Sequence, residues 1–400
     1  MLDATAPGLA AVGVPAVERD AAVPVSQPGC GRTRPAKAWP AEIGRRGAQK
    51  LIAGGWLSDG LSTLVTVTTY RDAAETRSPP DELELEAHRR ELTGYCYRML
   101  GSGFEAEDAV QETMVRAWRG IGGFEGRSAL RSWLYRIATN VCIDMLGGPQ
   151  RRARPMDLGP VSTAASVIPD ALPETCWILP VPDARVSPAD GDPAELAAYR
   201  ESIRFAFVVA LQHLPPRQRA ILILREVLRW QASEVAGLLD TTVASVNSAL
   251  QRARGTLGAA SISIDAGRPA GRAAGLDAGQ QDLLARYVDA FERYDVTAFV
   301  SLLREDATFS MPPHPMWLRG PAEVSQWLLG QGLGCRGSRL VATAANGCAA
   351  FGSYRPAERG GHEPFALQVI ETSGGQVSAI HNFLFTELFA AFGLPARLEQ

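Results

Sequence analysis

Six apolar residues, Val235, Leu238, Leu239, Val243, Val246 and Leu250, constrain this chain more than any other feature. They recur at steps of three and four on either side of a break at Thr241–Thr242, so two short helices must present them to one another. Ala236 is small where such helices would cross. Ser233 and Thr242 are expected to cap the two N-termini. "PPRQRAILILREVL" precedes the pair, with Pro216 suited to a first helical position. The pattern predicts a helix-turn-helix whose second helix, "VASVNSALQRARGTL", has the shape to lie in a DNA groove.

That helix lacks charge where a groove-binding helix usually carries it. Residues Thr241 to Leu250 contain no Lys or Arg, and the 400-residue chain has a formal net charge of −3. Such a balance argues against gripping nucleic acid by bulk electrostatics. Either DNA is not the partner, or another molecule brings the phosphate-neutralising charge.

The length suggests two or three domains, and a hydrophobic content of 46% suffices for ordinary packed cores. Cys30, Cys96, Cys142, Cys176, Cys335 and Cys348 show no Cys-x-x-Cys pair and no partnering His spacing. That excludes a disulfide framework or zinc site, and neither metal nor cofactor is expected. No apolar run approaches the ~20 residues of a membrane span. No basic segment followed by an apolar one opens the chain, so a cytoplasmic protein without a membrane partner is expected.

Residues 1–80 are rich in Ala, Gly, Pro and Val and read as a disordered extension, with "LSTLVTVTTY" (Leu61–Tyr70) the one β-like run. Helical texture begins at Asp81. "SGFEAEDAVQETMVRAWRG" sets Glu105 three residues after Ser102, a capping-box spacing, and puts Ala109, Met114, Ala117 and Trp118 on one apolar face. "SALRSWLYRIATNVCIDML" lines a second face with Leu130, Leu134, Ile137, Val141 and Met145. Residues 156–193 are Pro-rich and aperiodic, a linker; helices resume over 194–258, and 259–276 form a Gly/Ala/Arg linker. From 277 to 400 helices come first and strands follow: "DATFSMPP", "RLVATAANGCAAFGSYR", "PFALQVIET" and "QVSAIHNFLF". That order predicts an α+β domain with a curved antiparallel sheet wrapped on helices.

The outward faces carry the chemistry. Asp108, Gln111 and Glu112 share one side of their helix and make an acceptor surface for Arg or Lys on a partner helix. Arg136, Asn140 and Asp144 are four apart; an Asn amide offers the donor and acceptor that an adenine edge requires. A solvated polar face would carry the same residues, and the residues alone leave both readings open.

"EDAVQETMVRAW" followed by "LRSWLYRIATNVCIDML" resembles region 2 of an extracytoplasmic-function sigma factor of the sigma-70 family, and "LPPRQRAILILREVLRWQASEVAGLLDTTVASVNSALQRAR" resembles region 4. The resemblance implies an RNA polymerase sigma factor: mostly helical sigma domains, helical region 2 (81–155) and helix-turn-helix region 4 (194–258). It implies that Asp108, Gln111 and Glu112 contact the clamp helices of core polymerase. Arg136 and Asn140 fall where the −10 element is read on an unpaired strand, and Arg151 and Arg152 would hold its phosphates. Thr242, Ser245, Asn247, Ser248, Gln251, Arg252 and Arg254 face outward on the helix that would meet the −35 element. Many family members carry basic residues where this chain has Asn247 and Ala249, which puts autonomous −35 binding in doubt. No anti-sigma factor can be named.

Residues 277–400 resemble the cone-shaped SnoaL-like α+β domain fused to some sigma factors, carried by "LLARYVDAFERYD", "DATFSMPP" and "FAAFGLP". Free-standing cones often enclose a pocket, and Asp306, His314, Trp317 and His381 are the candidates to line one here. Two histidines with no visible carboxylate partner argue for structure rather than catalysis. The leading expectation is a promoter-specificity factor, itself no enzyme, with the C-terminal domain regulating it in cis. The alternatives are a small-molecule sensor or cyclase/isomerase-type enzyme with transcriptional output, and a repressor-type protein binding duplex DNA alone.

Overall fold

Capping chemistry fixes where several of the helices begin. The computed structural model describes residues 82–124, 129–147, 152–187, 198–259 and 277–399; the expected disordered extension (1–80), its Leu61–Tyr70 run and Arg151 lie outside the described residues. The first helical group comprises α1 (Glu82–Ala87), α2 (Arg89–Leu100), α3 (Gly103–Gly120) and α4 (Leu130–Met145). Ser102 caps α3, its hydroxyl accepting the Glu105 N–H at 3.4 Å. α2 is the central post, buried at every residue from Leu92 to Leu100. α3 buries Ala106, Ala109, Val110, Thr113, Met114 and Ala117. Trp118, expected on that face, is 68% exposed. Ala117 carries the buried seam, and the next residue turns about 100° away from it.

The second group comprises α5 (Phe205–Gln212), α6 (Pro216–Leu222), α7 (Ala232–Leu238) and α8 (Val243–Ala259). Pro216 does open α6. α7 begins earlier than its hydroxyl suggested: the cap is Gln231, whose N–H donates to the Glu234 carboxylate at 2.6 Å, and not Ser233. Thr242 caps α8, accepting the Ser245 N–H at 3.1 Å. Val235, Leu238, Val246 and Leu250 are buried between the paired helices, whereas Val243 is 43% exposed at the start of α8.

The third group packs α9 (Ala278–Glu292), α10 (Val296–Ser301) and α11 (Pro321–Leu329) on a six-stranded sheet. Its strands are β1 (Leu303–Ser310), β2 (Trp317–Arg319), β3 (Arg339–Ala345), β4 (Cys348–Pro356), β5 (His362–Ser373) and β6 (Gln376–Phe383). The order is β2-β1-β6-β5-β4-β3. The sheet is mixed rather than antiparallel throughout, because β1 runs parallel to β6, with Phe309 opposite Ile380. The intervening helix and hairpins supply the long crossover that a parallel pair requires.

Both faces of the central strands are covered, so β4 is buried at every residue from Ala350 to Tyr354 and β6 from Ala379 to Phe383. One face, with Phe351, Ile370 and Ile380, joins Leu283, Tyr287, Phe291 and Phe299 of the domain's own helices. The other face, with Ala350, Leu367, Val369 and Phe383, joins the core of the two helical groups. α5 is the wedge between them. Phe205 stacks on Phe383 with ring centroids 5.5 Å apart and packs on His381 at 5.5 Å. Phe205→Ala is therefore expected to cost about 3–5 kcal/mol and to split unfolding into two calorimetric transitions; a single transition at the wild-type midpoint would contradict a shared core.

Candidate functional site

The tightest junction between the three groups is a hairpin turn. Asn346 and Gly347 join β3 to β4 with φ of 55° and 69°, a left-handed pair that Asn-Gly adopts readily. The turn plunges into the helical core, and Asn346 is fully buried. Its carbonyl oxygen accepts the Val181 N–H at 3.0 Å. Its amide donates to the Tyr97 hydroxyl and to the Ile203 carbonyl, each at 2.6 Å. One side chain thus binds α2, the connector between the helical groups, and the segment leading into α5. Tyr97 passes the bond on, donating to Leu179 O at 2.9 Å. Gly347 is held by the Asp183 carboxylate, which accepts its N–H at 2.8 Å, and a Cβ there would lie 3.1 Å from Arg200 O.

Buried arginines finish the junction. Arg98 is fully buried, stacks 4.4 Å from the Tyr199 ring centroid, and donates to Ser202 Oγ at 2.6 Å and Gly94 O at 2.7 Å. Arg219 donates to Gln212 at 2.7 Å and to Met99 O, tying the second helical group to α2. Arg152, expected at a phosphate, is 6% exposed. It pairs with Glu105 and donates to Trp177 O at 2.6 Å and Glu174 O at 3.1 Å. Four of the five donors of the planar fork are taken by those acceptors, so this guanidinium is structural in the described arrangement.

The remaining outward residues divide clearly. On α3, Asp108 and Gln111 are exposed without a hydrogen-bond partner among the described residues, while Glu112 binds Arg116 at 2.7 Å. On α4, Asn140 is exposed, but Arg136 is paired with Asp240 in the helix-turn-helix turn. At the cap and along α8, Thr242, Ser245, Asn247, Ser248, Gln251, Arg252 and Arg254 all face solvent. Thr242 and Ser245 are mutually engaged as the cap, and Arg254 is held by Glu226 at 2.5 Å. Arg252 has no carboxylate partner among the described residues. Steps of three and four put Ser245, Ser248 and Arg252 on one strip and Asn247, Gln251 and Arg254 on the next.

The four residues expected to line a pocket do not converge. Asp306 is exposed and paired with Arg304 at 2.7 Å. His314 Nδ1 contacts Pro169 O at 2.7 Å and Trp317 Nε1 donates to Gly159 O at 3.0 Å, so both grip the linker. His381 lies in the seam, its Nδ1 3.1 Å from Ser310 Oγ and its Nε2 3.3 Å from Glu371. Burial alone would raise the Glu371 carboxyl, but the His381 hydrogen bond and the nearby Arg204 and Arg154 charges hold it below its usual range. A cavity of about 20 Å³ lies within this domain, lined by Phe309, Trp327, Phe365 and Gln368 among others. That is room for about one water molecule. Among the described residues no group of three or more His, Cys, Asp or Glu could hold a metal, and no helix is long and apolar enough to cross a membrane.

Sequence reasoning overlooked Asn346, although "ANGC" between two apolar runs is a hairpin signal. What it could not indicate is that the turn's side chain leaves its own domain.

A helical bundle presenting an acidic face, followed by a helix-turn-helix with a polar second helix, is the layout of a sigma factor. The sigma-70 region 2 profile matches residues 85–152 and the sigma-70 region 4 profile matches residues 204–257. The chain is similar to the ECF RNA polymerase sigma factor SigG of Mycobacterium tuberculosis, 42% identical over 86% of this chain and 92% of that protein. It is also similar to SigJ of the same organism, 26% identical over 79% of this chain and 96% of SigJ. The SigJ crystal structure aligns with a TM-score of 0.49 at 22% identity, over 79% of this chain and all of that one. The chain belongs to the ECF RNA polymerase sigma factors. Its function is to direct promoter-specific transcription initiation by RNA polymerase.

The junction carries a pH signature. Burial pushes the Asp183 carboxyl up, against the opposing effects of the Gly347 N–H and the Arg200 charge. The folded state therefore holds that proton more tightly than the unfolded chain does. The desolvation cost is complete above the raised pKa and is relieved as pH falls through it. An Asn at this position can still accept the Gly347 N–H and carries no such cost at any pH. Asp183→Asn is expected to raise the thermal midpoint at pH 7, with the gain shrinking towards pH 4; a lower midpoint at pH 7 would contradict this account.

Proposed function

We propose that the factor docks on the clamp helices of core polymerase through Asp108, Gln111 and Glu112. It reads the −10 element with Asn140 and with Arg136 once Asp240 releases it. It sets Thr242, Ser245, Asn247, Ser248, Gln251, Arg252 and Arg254 of α8 on the −35 element. Its domains are an extension (1–80), region 2 (81–155), a linker (156–193), region 4 (194–258), a second linker (259–276) and the C-terminal domain (277–400). It acts in the cytoplasm and performs no covalent chemistry of its own.

The C-terminal domain regulates the factor in cis by fixing how regions 2 and 4 and their linker are held together. The observation that carries this reading is Asn346, which binds all three at once. A domain docked through its own core is poorly suited to be a detachable sensor, and the water-sized cavity gives a ligand little room.

Run-off transcription with purified core polymerase tests both parts, on a promoter selected by the wild-type holoenzyme. Asp108→Arg/Glu112→Arg is expected to lose polymerase affinity by at least about ten-fold. Asn346→Leu, with secondary structure checked by circular dichroism, is expected to change promoter output several-fold. Unchanged output and polymerase affinity in Asn346→Leu would rule out regulation in cis.

A further inference from the structure

A groove of about 560 Å³ runs beside α3, and its two walls belong to different parts of the chain. One wall is Glu107, Asp108, Val110 and Gln111 of α3 with Glu86, Arg89, Arg90 and Thr93 of α1 and α2. The other is Ala184 and Arg185, from the helical turn Asp183–Val186 in the linker. Arg185 crosses the groove's edge to pair with Glu107, one residue before Asp108. The turn is held from behind by the C-terminal domain, since Asp183 accepts the Gly347 N–H and Pro182 bridges to Ala345.

The charges of the lining are balanced while Arg185 is in place. Three carboxylates (Glu86, Glu107, Asp108) face three guanidiniums (Arg89, Arg90, Arg185), and Glu86 is already satisfied by Arg89 at 2.6 Å. If Arg185 swings out, the groove gains a net negative charge at Glu107 and Asp108, where a partner's cation would arrive.

We propose that Arg185 is an internal competitor for the polymerase-docking face: a basic helix of core polymerase enters this groove by displacing Arg185 from Glu107. The inference rests on the docking reading given above. It makes the linker turn a determinant of polymerase affinity, and it couples that affinity to the C-terminal domain that holds the turn. An exposed ion pair of this kind is weak, so the competition tunes binding rather than blocking it.

Equilibrium binding of the full-length protein to core polymerase tests it, with Arg185→Ala, Arg185→Lys and Asp108→Arg compared at low and high salt. Arg185→Ala should bind about two- to five-fold tighter than wild type, with the gain fading at high salt. Arg185→Lys keeps the charge and should stay near wild type. If Asp108→Arg weakens binding while Arg185→Ala is unchanged or weaker, the competition is refuted and the docking face survives. If Asp108→Arg binds like wild type, the docking reading fails and the inference with it. A tightening shared equally by Arg185→Ala and Arg185→Lys would also overturn it, because loss of charge could not then be the cause.

Discussion

The arrangement depends on the Asn346 amide more than on any single apolar contact. Hydrophobic burial joins the sheet to α5 over a broad surface, but it is non-directional and would tolerate sliding. Asn346 is different, because its oxygen and nitrogen each meet a backbone or hydroxyl partner at 2.6–3.0 Å on three separate segments. Displacing the turn would leave the Val181 N–H and the Ile203 carbonyl without their partner in the buried interior, each costing about 1–3 kcal/mol. The left-handed turn makes this geometry possible, because the tight reversal at Asn346 and Gly347 delivers the side chain at the hairpin's tip. Arg98 and Arg219 then act as supports, Arg98 donating to the Ser202 hydroxyl and Gly94 O and Arg219 to Met99 O and the Gln212 side chain.

This anchoring sorts the polar residues into those spent on the fold and those left for partners. Arg152 is consumed by Glu105 and two carbonyls, and Arg136 is held by Asp240. Asp108, Gln111 and Asn140 remain free among the described residues, as does most of the outer strip of α8. Cationic residues near the proposed nucleic-acid faces are therefore mainly engaged, while acceptors and neutral amides are mainly open. A surface of that kind selects by hydrogen-bond geometry more than it attracts by charge.

Much of this was legible in the sequence because it is local. Spacing of three and four predicted α3, α4 and the α7–α8 pair, and Ser102 and Thr242 cap where their hydroxyls suggested. The strands β1 and β3 to β6 follow their apolar runs, whereas the three-residue β2 is too short to leave a pattern. What escaped is non-local. Trp118 looked like one more core position, but only the actual seam through Ala117 shows which neighbour is covered. Arg152 looked like a phosphate contact because nothing nearby in sequence announces Trp177 O and Glu174 O as acceptors. His314 and Trp317 suited a pocket until the linker proved to lie against them. The antiparallel expectation failed at β1 and β6 because strand direction depends on how the chain returns, not on strand composition.

The scarcity of charge on the recognition helix then acquires a physical meaning. Of its two arginines, Arg254 is shared with Glu226 and only Arg252 is uncommitted among the described residues. On the proposed reading α8 would release few counterions by itself, and binding alone would be weak and nearly salt-independent. A second contact through region 2 and a third through polymerase raise its local concentration at the promoter without any added phosphate contact. That gain depends on geometry, since tethered elements help only if they can engage together. On the proposed reading, a domain that fixes regions 2 and 4 around Asn346 would control that geometry directly, and a helix too neutral to bind alone would be one whose occupancy the rest of the chain regulates.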